Sequence, residues 1–149
     1  MKKFLAVLAA SLLLASCGSS KTPDINIDNL AADLVADVSF TDDLALIDDS
    51  MIGNLYDVQY EDAVLYMGSG ATAEEVAIFA CADEAAAKTA LDGAKSHIQS
   101  QIDSFEDYIP EEVKRLEEAL VLQEGKYVIT VVTEDKETAQ GVIDKYLEK

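Results

Sequence analysis

Glu75-Val76-Ala77-Ile78-Phe79-Ala80-Cys81 decides the fold, because this stretch can be taken as a helix or as a strand. Just ahead of it, Thr72-Ala73-Glu74-Glu75 fits a capping box, in which a hydroxyl and a carboxylate three residues apart satisfy free amides at a helix start. Against that, Val76, Ile78 and Phe79 are β-branched or aromatic and suit a pleated surface, and Asp83 offers a later helix start. The strand is therefore preferred. It pairs with Ala63-Val64-Leu65-Tyr66-Met67, a short apolar run stopped by Gly68-Ser69-Gly70, as a hairpin with a longer loop.

Towards the C-terminus the period changes. From Asp83, apolar residues recur at steps of three and four (Ala87, Leu91, Ala94, Ile98, Ile102, Phe105, Ile109), which predicts one long amphipathic helix. Pro110 restarts a helix, since its missing N–H is harmless in a first turn and Glu111 and Glu112 suit the positive end of the new dipole. Leu116, Ala119 and Leu120 carry the apolar face onward. Gln123-Glu124-Gly125-Lys126 separates Ala119-Leu120-Val121-Leu122 from Tyr127-Val128-Ile129-Thr130-Val131-Val132-Thr133, the clearest strand in the chain. A closing helix follows from Glu134, with Ala139, Val142, Ile143 and Tyr146 inward. Towards the N-terminus, Asp28 is the expected N-cap of a helix through Leu30 and Leu34. A short helix over 48–56 would turn Met51, Ile52 and Leu55 to one face. The expectation is an α+β domain of ββαββα order: about four antiparallel strands, helices packed on one face, and short helices in front.

The first residues concern location. Lys2 and Lys3 precede an apolar run over 4–15 broken only by Ser11. Twelve residues are too few to span hydrocarbon, which needs ~20, so the run is a signal segment. Leu14-Ala15-Ser16-Cys17 has the form of a lipobox, in which small residues admit a peptidase and the cysteine thiol takes a diacylglyceryl group. Two acyl chains, at ~0.8 kcal/mol per buried CH₂, suffice for stable anchoring. The expected organisation is a signal peptide over 1–16, a lipidated Cys17 with a flexible tether over 17–25, and one domain over 26–149. The expected location is the outer, extracytoplasmic face of the cell membrane.

Charge narrows the partners. The chain has eleven Lys and Arg against twenty-nine Asp and Glu. Without Lys2 and Lys3, nine basic residues remain and the net charge is −20. Nucleic acid is excluded as a partner, because its binding rests on basic contacts to phosphate. Anionic head groups would repel the domain, so the lipid is its expected hold on the membrane, with an envelope protein or peptide as the further partner. With Cys17 acylated, Cys81 is the one cysteine left, which rules out an internal disulfide; its apolar surroundings predict a buried, inert thiol.

No motif assembles a reaction. Gly68-x-Gly70-x-x-Ala73 superficially matches a dinucleotide fingerprint, but Glu74 and Glu75 would face the phosphates and a strand follows, so a hairpin loop is preferred. Asp24-x-Asn26-x-Asp28 imitates half a calcium loop, yet positions six and twelve hold Asn29 and Val35. Pairs such as Asp42-Asp43 and Glu117-Glu118 suit solvated faces, and no metal or cofactor is expected. His97 is the only histidine, which removes a multi-histidine zinc site; beside Ile98 it is expected half-exposed on the flank of the long helix. Ser96, Ser100 and Ser104 lie along that flank without a nucleophile elbow. Asp107-Tyr108-Ile109-Pro110 is expected to form a helix corner in which the Tyr108 ring packs; its functional alternative is a Tyr108 presented for contact. Tyr108 and His97 are thus the candidate contact residues, and Cys17 the lipidation site.

Together, the lipobox, Glu74-Glu75-Val76-Ala77-Ile78-Phe79, Ser104-Phe105-Glu106-Asp107-Tyr108-Ile109-Pro110-Glu111-Glu112 and Gly125-Lys126-Tyr127-Val128 resemble an uncharacterised family of lipoproteins from Gram-positive gut bacteria, catalogued as a domain of unknown function. The similarity covers roughly residues 30–147. It implies fold and location and brings no site residues. The expected function is a non-enzymatic, lipid-anchored binding or accessory domain. The alternative is a small-ligand or cation receptor, or a hydrolase using carboxylates.

Overall fold

The computed structural model describes residues 23–148; the signal segment and Cys17 lie outside the described residues. In chain order the elements are α1 (Ile27–Asp37), β1 (Ala45–Leu46), α2 (Asp49–Leu55), β2 (Asp62–Met67), β3 (Glu75–Ala80), α3 (Glu84–Glu106), α4 (Pro110–Glu117), β4 (Leu120–Glu124), β5 (Tyr127–Val132) and α5 (Lys136–Leu147). The strands form one antiparallel sheet in the order β1-β2-β3-β5-β4. The class is α+β, as expected, with two corrections.

The sheet has five strands, not four. β1 is a two-residue edge strand, pairing Ala45 with Met67 and Leu46 with Tyr66. The second correction concerns layers: helices cover both faces of the sheet. Because side chains alternate along a strand, Val76 and Ile78 of β3 with Tyr127, Ile129 and Val131 of β5 meet α1 and α5 on one face. Ala77 and Phe79 with Val128 meet α2 and α3 on the other. Further along that second face, Val132 packs with Ile98 and Phe105 of α3 and Leu116 of α4. A strand buried on both faces needs apolar residues at both parities, which β3 and β5 have.

Local sequence explains the boundaries. Asp83 caps α3 by accepting the Ala86 amide at 2.7 Å, and Asp48 caps α2 by accepting that of Ser50 at 3.0 Å. The first helix begins earlier than expected: Asn26, not Asp28, is its N-cap, accepting the Asn29 amide at 2.9 Å. On α2 only Ile52 is buried, while Met51 and Leu55 are exposed, so the expected three-residue face is reduced to one anchor. Packing against the core begins at Ile25, whose N–H donates to the Tyr127 hydroxyl at 3.1 Å. The loop over 68–74 joins β2 to β3 as a hairpin, with Gly70 at φ +92, the left-handed region glycine adopts without strain. Gly93 of α3 lets the helix approach residues 57 and 58 closely: a Cβ there would lie 2.7 Å from the Asp57 carbonyl oxygen.

Candidate functional site

Glu74 and Glu75 are adjacent, and both are buried, at 2% and 1% exposure. Burying a charge is costly unless it is paired and hydrogen-bonded. Alternation sends the two side chains to different surroundings, and each is satisfied in a different way.

Glu75 opens β3 on the face covered by α2 and α3. One carboxylate oxygen accepts a hydrogen bond from the Tyr56 hydroxyl, and the other lies 3.2 Å from His97 Nε2. His97 Nδ1 lies 3.1 Å from the Leu55 carbonyl oxygen. The imidazole stacks on the Tyr56 ring, with centroids 3.7 Å apart and planes 20° apart. His97 is 8% exposed, so the expected half-exposed surface position is corrected: the helix face beside Ile98 turns inward at this level because Glu75 and Tyr56 offer it partners. Burial first, then the charge and hydrogen bond of Glu75, hold the Tyr56 phenol well above its ordinary range. Thr130 of β5 faces the same hydroxyl.

Glu74 serves the loop before β1. Its carboxylate accepts the amides of Thr41 at 2.9 Å and Asp42 at 2.9 Å. The guanidinium of Arg115 on α4 lies 3.8 Å away, bonded also to Glu112 and, at 3.0 Å, to Glu134. Glu112 in turn accepts the Ala73 amide at 2.8 Å. Burial alone would lower the Arg115 pKa; the Glu112 bonds and the charges of Glu112, Glu74 and Glu134 outweigh it and raise it. Asp42, held below the usual carboxylate range chiefly by the Ser69 hydroxyl and amide, ties this loop to the β2–β3 hairpin.

Between the two glutamates lies a cavity of about 70 Å³, lined in part by Gly68, Thr72, Gln101 and Phe105. Ligand pockets run to several hundred Å³, so this one has room for water and not for a drug-sized molecule.

The remaining candidates are dispersed. Tyr108, at the corner between α3 and α4, is 71% exposed, with its ring centroid 6.3 Å from that of Phe105. The expected packed ring is therefore corrected: Tyr108 is presented to solvent. His97 and Tyr108, named together from sequence, belong to different environments. Ser96, Ser100 and Ser104 donate to carbonyls four residues back along α3, a local role. Cys81 is buried, as expected, and burial, then Asp83 and Glu61, push its thiol pKa up. Among the described residues, no group of three or more His, Cys, Asp and Glu is arranged to hold a metal ion, and no helix is long and apolar enough to cross a membrane.

Fold and site thus define a small α+β domain with a doubly covered antiparallel sheet and two buried acidic networks at one end of it. Residues 36–133 match the family model described as Domain of unknown function (DUF4358), and the chain belongs to that family. The matched span holds Glu74, Glu75, Tyr56, His97 and Arg115. No curated protein and no solved structure matches the chain.

Proposed function

We propose that this protein is a lipid-anchored extracytoplasmic lipoprotein of a Gram-positive bacterium, and that its domain is a non-enzymatic binding or accessory module of the cell envelope. The observation that carries the location is Leu14-Ala15-Ser16-Cys17 behind a charged and then apolar leader. The internal chemistry supports the rest. Both oxygens of Glu75 are engaged by Tyr56 and His97, and Glu74 is engaged by amides and Arg115, which leaves neither poised toward a substrate.

The geometry also supports an orientation. Pro23 and Asp24 lie beside Asp83, Glu84, Lys126 and Tyr127, where α3 begins. The twenty-three residues of α3 rise about 35 Å from there, at ~1.5 Å per residue. Tyr108 therefore sits at the end of the domain far from Pro23, and an envelope protein or peptide would meet it there. Replacing Cys17 with Ala tests the anchor: the variant should leave the membrane fraction and lose lipid labelling, whereas unchanged partitioning would overturn it.

A carboxylate–histidine catalytic site is the second reading, favoured by one observation, the meeting of His97 with Glu75. The small cavity and the filled valences weigh against it.

A further inference from the structure

His97 is held on both sides by contacts that fix where its protons lie. The Leu55 carbonyl can only accept, so Nδ1 must carry a proton. On the other side, Nε2 and the Glu75 oxygen face each other at 3.2 Å, and that contact needs one proton between them, whichever atom holds it. Without this proton, either a carboxylate oxygen meets an imidazole lone pair, or the imidazole changes tautomer and turns a lone pair on the Leu55 carbonyl. Both bonds hold only in the protonated pair.

These bonds fasten a weakly held part of the fold. Leu55 ends α2, and Tyr56 is its C-cap. Within α2 itself only Ile52 is buried, while the adjoining β1 is a two-residue exposed edge strand. Elements with few buried contacts open first. We infer that Glu75, His97 and Tyr56 form a one-proton latch, which holds α2 closed on the sheet while the Glu75–His97 proton is present and frees it when that proton leaves.

The surroundings give the latch a direction. Glu75 from β3 is the charged group on the imidazole, and Tyr56 from α2 is the other titratable one; Thr130 from β5 stands behind the phenol. The raised Tyr56 pKa keeps that hydroxyl a donor to Glu75 while the shared proton departs. Opening therefore comes with rising pH, and it uncovers Ile52, Tyr56 and the Phe79 face beneath.

The test follows hydrogen exchange of α2 amides in the full chain over roughly pH 5 to 10, with the His97 ring signals read by NMR in the same samples. One-proton linkage predicts an approximately tenfold fall in α2 protection per pH unit from the pH at which the open form sheds the proton up to the His97 step of the closed form, and a level value beyond it, while β5 protection stays constant. Glu75→Gln should abolish the response: its amide oxygen accepts from Tyr56, its NH₂ donates to neutral His97 Nε2, and no shared proton is required. Tyr56→Phe keeps the Glu75–His97 proton and should keep the response, which provides a second arm if Glu75→Gln folds poorly. Constant α2 protection through the His97 step, or a Glu75→Gln response equal to that of the native chain, would overturn the latch.

Discussion

Glu74 and Glu75 are neighbours in sequence with opposite solutions to the same problem. Glu74 is neutralised by a cation and by backbone amides, so its network stays ionic and ties α4 to two loops. Glu75 meets no Lys or Arg among the described residues; it is held by a phenol and an imidazole, so its network depends on where one proton sits. The difference shows how a one-residue step from the loop into β3, by turning a side chain to other surroundings, changes an ionic strut into a proton-sharing joint.

Removing the cation should break the first network most severely. Arg115→Met leaves Glu74 and Glu112 without their counter-charge, and a loss of ~3–5 kcal/mol is expected in urea denaturation. The second network should be weaker: Glu75→Ala strands the Tyr56 hydroxyl and His97 Nε2 in a buried site, at a cost of about 2–4 kcal/mol. Equal losses, or the reverse order, would remove the distinction between ionic and proton-sharing networks.

Tyr146 provides a peripheral counterpart to Tyr56. Burial first, then the hydrogen bond and charge of Asp33, push its pKa up to about 12 from an ordinary value near 10. A raised folded value means that this contribution is complete below the unfolded value and is lost as pH rises towards the folded one. The stability advantage of the native chain over Tyr146→Phe should therefore shrink between about pH 10 and about pH 12 in matched urea titrations. The smallest effect belongs to Tyr108: its exposed ring should change stability by no more than ~0.5 kcal/mol on substitution with Ala, so a larger loss would mean that it packs.

The hairpins were legible as short β-branched and aromatic runs bounded by turn residues, and α3 by apolar residues recurring at three- and four-residue steps. β1 was not, since two residues carry no period and its pairing with Tyr66 and Met67 is set by the neighbouring hairpin. Coverage of both faces had a signal: Val76-Ala77-Ile78-Phe79 is apolar at both parities, which one-sided packing would not require. His97 was misplaced because its partner lies twenty-two residues away on another element, and a position beside a helical stripe does not reveal what it meets. Glu74 and Glu75 were assigned to a loop and to a strand start, but no local pattern announces that two glutamates will be buried.

The most direct test of the anchored-domain account is the intact mass of the mature protein extracted from membranes. A chain beginning at Cys17 and carrying a diacylglyceryl adduct is expected. A chain that begins elsewhere, or an unmodified Cys17, would contradict it.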